Sequence, residues 1–400
     1  MGREPAADRG QIMKIVEVCA FYSPQGGGVR AYVERKLAAG PDAGHEIVVI
    51  VPGAENKDEQ IRPGSRLVTL ASPPFPLDRR YRYFDDEPAL HAALYAERPD
   101  VVEVSSQWRS CAMVADWKGS ARRVLFMHSD PLSAYLYRWF GPIAGPESID
   151  AYFDLYWRYL RRISHRFDAI VSASPGLSRR LSDGGVGKVE TVPMGVEPGI
   201  FSPAHRDESL RQDLLARCSL GPDGLLLLGA GRLAPEKRWP MVIDAVAAAG
   251  YHQPIGLVLV GGGRHRARIA RLTAGNPHTH LLEPLSDRAA MARLMASADA
   301  LIHGCEAETF CITAAEARAS GLPLIVPDAG GAADQFRPGI DQIYAAAKPA
   351  ALAEAILRWA VSGHDRSLAQ AALPVRTMDE HFVELFRLYE RLGDERKHAA

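Results

Sequence analysis

The chain reads as an α/β protein of two Rossmann-like, doubly wound domains in tandem, with their loops facing one another across a cleft. Three observations predict this. A length of 400 residues exceeds one compact core and suits two domains of ordinary size. Short continuous runs of Val, Ile and Leu alternate with segments of helical periodicity, the mark of a parallel sheet covered on both faces. The alternation stops once, in a Pro- and Gly-interrupted stretch, and then starts again.

Residues 1–12 are polar and are expected to form a disordered leader, with Met13 an alternative natural start. The first domain, 13–195, opens with the strand run MKIVEVCAF, the turn SPQGGG and the helical VRAYVERKLAA. EIVVIVP, RLVTLA, VVEVSS, RRVLFMHS and DAIVSASPG continue the strands, with helices such as ALHAALYAER and YFDLYWRYLRRISHRF between them. In KVETVPMGVEPGIFSPAHRDE a last strand passes into an aperiodic linker. The second domain, 196–375, restarts with LLLLGAGRL, GLVLVGGG, THLLE, ALIHG and PLIVP as strands, each leading to a helix. The tail, 376–400, is an amphipathic helix with Phe382, Leu385, Phe386 and Tyr389 on one stripe, expected to pack back toward the first domain.

Composition excludes several classes. Lys and Arg total 47 against 48 Asp and Glu, so there is no electrostatic footprint for bulk nucleic-acid binding. No apolar run is long enough for a membrane span or a signal peptide. Five scattered cysteines with no C-x-x-C pair fit a reduced, cytoplasmic protein without disulfides or structural zinc. No Ser/His/Asp order or G-x-S-x-G elbow is present.

The chemistry gathers at strand ends, where open α/β sheets bind ligands. Gly26, Gly27 and Gly28 precede a helix and permit close backbone approach to a phosphate or sugar. They do not complete a G-x-G-x-x-G fingerprint, and a tight turn reads equally well. His128 ends RRVLFM, where a ligand contact and a structural role are both open. In GAGRLAPEKRW, Arg232 and Lys237 offer a planar fork and a mobile charge suited to a diphosphate, against the alternative of two surface cations. Gly261, Gly262 and Gly263 after GLVLV form a second loop open to close approach, or a short turn.

The stretch HGCEAETFCITAAE follows the strand run 298–302 and reads as opening a helix at its second glutamate. Glu308 and Glu316 are eight positions apart, a little over two helical turns, so both are expected on roughly one side. Alone, the pair reads as two solvated glutamates. Glu306 is a second candidate carboxylate, but it breaks the spacing to Glu316.

In order, GGGVRAYV, His128, VPMGVE, GRLAPEKR and E-x-F-x-x-x-x-x-E, from Glu308 through Phe310 to Glu316, resemble the retaining GT-B glycosyltransferases of the family-four group, bacterial mannosyltransferases and glycogen synthases among them. The resemblance runs from Met13 to the end of the chain. It implies a metal-independent hexosyltransferase that takes a nucleotide-sugar donor and requires no cofactor. It assigns Arg232 and Lys237 to the donor diphosphate, Glu316 to the ribose and Glu308 to the transferred sugar. The backbone N–H groups of Phe310, Cys311 and Ile312 would hold sugar and phosphates, and His128 would lie near the sugar's C6 side. Gly27 and Gly28 would close over the diphosphate and the acceptor, Gly262 would approach the donor, and residues 282–285, ending at Leu285, would frame the base. One departure is Cys311, where the family commonly has glycine.

The resemblance favours mannose from GDP-mannose, with UDP-glucose, UDP-galactose and UDP-N-acetylglucosamine as alternatives. A GT-B epimerase, a phosphorylase and an inactive sugar-nucleotide binding subunit are the other readings. The acceptor is expected to be a sugar, a polyol or a lipid-linked molecule. Aromatic and basic residues at 73–84 and 132–140 suit an acceptor pocket, or peripheral contact with the inner face of a membrane.

Overall fold

The computed structural model describes residues 12–22, 28–76, 81–128, 154–362 and 366–399. Residues 1–11 of the leader, Gly26 and Gly27, part of 73–84 and all of 132–140 lie outside the described residues.

Two sheets organise the chain. The first has eight strands in the order β3-β4-β2-β1-β5-β6-β7-β8. These are β1 Lys14–Val18, β2 Glu46–Gly53, β3 Lys57–Arg62, β4 Ser65–Ala71, β5 Val101–Val104, β6 Arg122–Met127, β7 Ala169–Ser172 and β8 Val189–Thr191. The second has six, in the order β11-β10-β9-β12-β13-β14. They are β9 Leu225–Ala230, β10 Ile255–Val260, β11 Thr279–Leu282, β12 Ala300–Ile302, β13 Leu324–Pro327 and β14 Gln342–Tyr344. Every pairing is parallel except β3 with β4. Helices cover both faces, so strands such as β9 and β10 are buried at every residue.

Two strands escape the sequence reading. KDEQIR forms β3, an antiparallel edge strand whose first five residues are exposed. It has no apolar side to bury, so periodicity is silent there, and the hairpin rests on Pro63 and Gly64, with Gly64 at φ +81°. β14 is three residues long, too short to carry a period.

In each sheet the strand order reverses beside one strand. β1 lies between β2 and β5, and β9 lies between β10 and β12. At such a switch point successive loops diverge and leave a crevice at the carboxyl ends. The crevice of the second sheet therefore receives the loops after β9 and β12.

The chain passes between the two halves twice, side by side. Val196 N–H donates to Arg376 O at 2.9 Å and Met378 N–H donates to Val196 O at 2.8 Å. A Cβ on Gly195 would stand 2.1 Å from the Thr377 carbonyl carbon, so this close crossing demands glycine. The last helix, Met378–Ala399, then packs on the first sheet and on the helix Gly28–Asp42. Its Tyr389 hydroxyl donates to Glu103, and His381 Nε2 lies 3.1 Å from the Tyr32 hydroxyl. One apolar core runs through both halves and this helix, from Ile15 and Phe126 to Leu228, Leu324 and Phe386.

Candidate active site

β9 ends at Ala230, and the chain turns through Gly231 at φ +144° into a short 3-10 turn, Pro235–Lys237. β12 ends at Ile302, and residues 303–311 form an extended loop before the helix Ile312–Ala319. Because β9 and β12 are neighbours, these two loops meet although 71 residues separate their key side chains.

Their meeting point is an ion pair between Lys237 Nζ and Glu308 Oε1. Burial opposes charge on both groups. For Glu308 the adjacent Lys237 ammonium and His303 outweigh it, and the carboxyl is held well below the usual range. For Lys237 the Glu308 carboxylate outweighs it and raises the ammonium pKa. Both stay charged at neutral pH. His303 Nε2 stands 3.4 Å from the same Glu308 oxygen, and burial pushes its imidazole down, toward the neutral form. Tyr344 Oη donates to His303 O at 2.8 Å, which pins the start of the loop.

Glu306 is taken by another partner. Arg238 clamps it, with Nε at 2.8 Å from Oε2 and Nη2 on Oε1. This bidentate grip occupies Glu306 and leaves Glu308 as the carboxylate facing Lys237. Gly330 and Gly331 buttress the loop from behind. Gly331 N–H donates to Glu308 O at 2.6 Å, and a Cβ on Gly331 would come within 2.5 Å of Phe310 N.

The expected helix start at Glu308 is corrected. The helix begins at Ile312, so Glu308 lies on the loop and shares no helical phase with Glu316. The cause is Cys311, which sits at φ +63° and ψ 67°, a left-handed turn that helical periodicity cannot foresee. That conformation also explains why glycine suits this position, since a side chain there strains the backbone by ~1 kcal/mol. Phe310 and Cys311 are buried, whereas Ile312 is 39% exposed.

Arg232 is not drawn into the ion pair. Its side chain is 77% exposed and is held by Glu236 at 3.1 Å, while its carbonyl accepts from Trp239 Nε1 at 2.9 Å. Glu316 is 6% exposed and accepts from Arg288 Nη2 at 2.6 Å. Burial raises its carboxyl above the usual range, against the pull of Arg288.

Packing accounts for two glycines of the second run. A Cβ on Gly261 would meet Gly231 O at 1.9 Å, and one on Gly263 would meet Leu233 O at 2.7 Å. These glycines let the loop after β10 pack on the loop after β9, which Leu233 N–H seals by donating to Gly262 O at 2.7 Å. Leu285 is 38% exposed at the neighbouring loop.

From the first half, His128 reaches the same place. Its carbonyl accepts from Thr309 Oγ1 at 3.0 Å, directly beside Glu308. Its ring stacks on Phe126 at 4.2 Å and meets Tyr32 edge-on at 4.9 Å. Burial lowers its pKa to about 4, so the imidazole is neutral and can hydrogen-bond but not supply positive charge. A second bridge joins Gly176 N–H to Asp334 Oδ2 at 3.0 Å. Gly28 begins its helix with open space where a Cβ would stand.

His303, Glu308 and Cys311 place their ligand atoms within 4.8 Å of one another, a set able to hold a divalent ion. Lys237 already occupies the Glu308 oxygen that such an ion would need. His303, Arg238 and Arg288 were not singled out from sequence, because nothing local distinguishes them from ordinary polar residues.

Two family models match the chain: Glycosyltransferase Family 4 over residues 26–199 and Glycosyl transferases group 1 over residues 219–372. A GDP-mannose-dependent alpha-(1-6)-phosphatidylinositol dimannoside mannosyltransferase of Mycobacterium tuberculosis is 32% identical over 320 residues, covering 78% of this chain and 79% of the relative. A GDP-mannose-dependent alpha-mannosyltransferase of Mycolicibacterium smegmatis is 29% identical over 330 residues, with 82% of each chain covered. Among solved structures, a sucrose-phosphate synthase from Thermosynechococcus elongatus superposes with a TM-score of 0.73 at 19% identity, covering 95% of this chain and 99% of that one. With its two mainly parallel sheets and the matches over both halves, the chain belongs to the family 4 glycosyltransferases and carries their two-domain GT-B fold.

Proposed function

We propose that this glycosyltransferase moves mannose from GDP-mannose to a lipid-linked acceptor, with retention of anomeric configuration and without a metal ion. The Lys237–Glu308 pair at the switch point of the second sheet carries the reading of the site. The donor and the acceptor class are supported by the two relatives described above, both of which are named as GDP-mannose-dependent and one as acting on a phosphatidylinositol dimannoside.

Departure of a nucleoside diphosphate builds negative charge on its outer phosphate. Lys237, joined by Arg232 once that exposed side chain swings inward, stabilises this charge more in the transition state than before it. The first N–H groups of the helix Ile312–Ala319 add donors without reorganisation. Glu308, ionised and tied to Lys237, accepts hydrogen bonds from the sugar hydroxyls, and Glu316 accepts them from the ribose. Neutral His128 offers a hydrogen bond from the opposite wall. The acceptor attacks from the face that the diphosphate leaves, and the departing phosphate takes its proton. Protein cations do the work that Mg²⁺ does elsewhere.

Among the described residues no helix is long and apolar enough to cross a membrane. A cytoplasmic enzyme that meets its lipid-linked acceptor at the inner face of the membrane accords with that.

The test is turnover with GDP-mannose, UDP-glucose and UDP-N-acetylglucosamine, each offered a phosphatidylinositol mannoside acceptor and a soluble sugar acceptor, with and without chelator. Transfer from GDP-mannose to the lipid, insensitive to chelator and giving an α-linked product, is the expected result. Preference for a UDP-sugar, or loss of activity with chelator, overturns the corresponding part.

A further inference from the structure

Arg288 opens the helix Arg288–Ser297, one residue after its capping Asp287. Its guanidinium touches three groups from distant parts of the chain. Nη2 donates to Glu316 Oε1 at 2.6 Å, Nε lies 3.4 Å from Glu197 Oε2, and Cζ sits 4.8 Å from the centre of the Phe201 ring. Glu197 and Phe201 belong to the segment that follows the first crossing between the two halves, where Val196 pairs with Thr377. A planar fork can satisfy two carboxylates and a ring face at once, which a lysine ammonium does poorly.

We propose that Arg288 is a positioning residue for the nucleoside half of the donor: it fixes one oxygen of Glu316 so that the other meets the ribose hydroxyls, and through Glu197 it ties that carboxylate to the interdomain segment. The proposal rests on the ribose role of Glu316.

Geometry makes the assignment specific. Glu316 is 6% exposed, so without a partner its charge would be costly. Among the described residues its Oε2 accepts no hydrogen bond, while Arg288 holds Oε1. The Arg288 side chain is 45% exposed, so it stands at the open edge of the crevice rather than in the core. The charged groups acting on Glu316 are Arg288, which favours its ionised form, and Glu197, which opposes it. Removing Arg288 leaves burial and Glu197 acting alone, so the carboxyl pKa rises further. A protonated Glu316 accepts ribose hydrogen bonds poorly, and donor binding then falls as pH drops through that raised pKa.

The experiment measures the donor KM, kcat and the GDP dissociation constant of the full-length enzyme from about pH 6 to about pH 9. Arg288→Met is expected to raise the GDP-mannose KM about tenfold at the acid end, with the deficit narrowing as pH rises and kcat changing less. Arg288→Lys restores most of the affinity. A deficit that is equal at every pH, one confined to kcat, or none at all overturns the proposal. Should Arg288→Met fail to fold, Arg288→Gln removes the charge, retains a hydrogen-bond donor and reads the same pH dependence. Glu316→Gln separates the two layers. If it leaves GDP binding intact, the ribose reading falls and this proposal with it. If it abolishes GDP binding while Arg288→Met does not weaken it, the positioning role alone falls.

Discussion

The two halves each hold a lysine on glutamate, and they use it in opposite ways. In the first half Glu17 on β1 and Glu103 on β5 stand directly opposite in register, and Lys36 donates to both at 2.9 and 2.7 Å. All three side chains are fully buried. Burial, with Glu17 beside it, pushes the Glu103 carboxyl up to about 7 in spite of Lys36. Tyr389 of the last helix closes the cluster. In the second half Lys237 and Glu308 keep 12% and 24% exposure and sit on loops, not on strands. A sealed cluster on regular elements cannot exchange partners and serves as a clamp between sheet, first helix and last helix. A half-open pair on strand-end loops can trade one partner for a ligand. Depth and backbone context, rather than residue type, separate structural from chemical charge.

That contrast breaks most visibly at the lysines. Lys237→Ala is expected to lower donor turnover about a thousandfold or more, as loss of a transition-state charge does, with a small change in thermal midpoint. A mild loss would return Lys237 to an ordinary surface pairing. Lys36→Met should do the reverse. It strands two buried carboxylates and is expected to lower stability by about 3–5 kcal/mol in denaturant titration. If Lys36→Met left the midpoint untouched, the clamp would be dispensable.

A smaller effect is the pH dependence of stability. The Glu103 pKa is about 7 in the folded protein and about 4.3 when unfolded. Because the folded value is raised, the stability linked to its proton is fully present below about pH 4.3 and is lost as pH rises through about 7. Glu103→Gln is expected to flatten the slope of denaturant midpoint against pH in that window. An unchanged slope would assign the effect to other groups. Smallest is the backbone at Cys311. Cys311→Gly relieves the left-handed strain at the expense of a buried sulfur and should stay within about 1 kcal/mol of the parent, whereas Cys311→Val should be clearly less stable. Equal midpoints for the two variants would mean that the turn carries no strain.

By itself the sequence determined the class of fold, most strands and the strand ends where chemistry collects, because buried parallel strands announce themselves as short continuous runs of Val, Ile and Leu. Lys237 stands out at a strand end, and Glu308 and Glu316 only through the E-x-F-x-x-x-x-x-E resemblance, with Glu306 beside them as a rival. Tertiary structure alone decided that Arg238 removes the rival, that Arg232 points outward and that His303 stands behind Glu308. It also set Glu17 against Glu103, joined Arg288 to both Glu316 and Glu197, and started the helix after Glu308 at Ile312. Strand order and register bring together residues that are far apart in the chain. Periodicity records only which face a residue turns inward, not which neighbour it will find there.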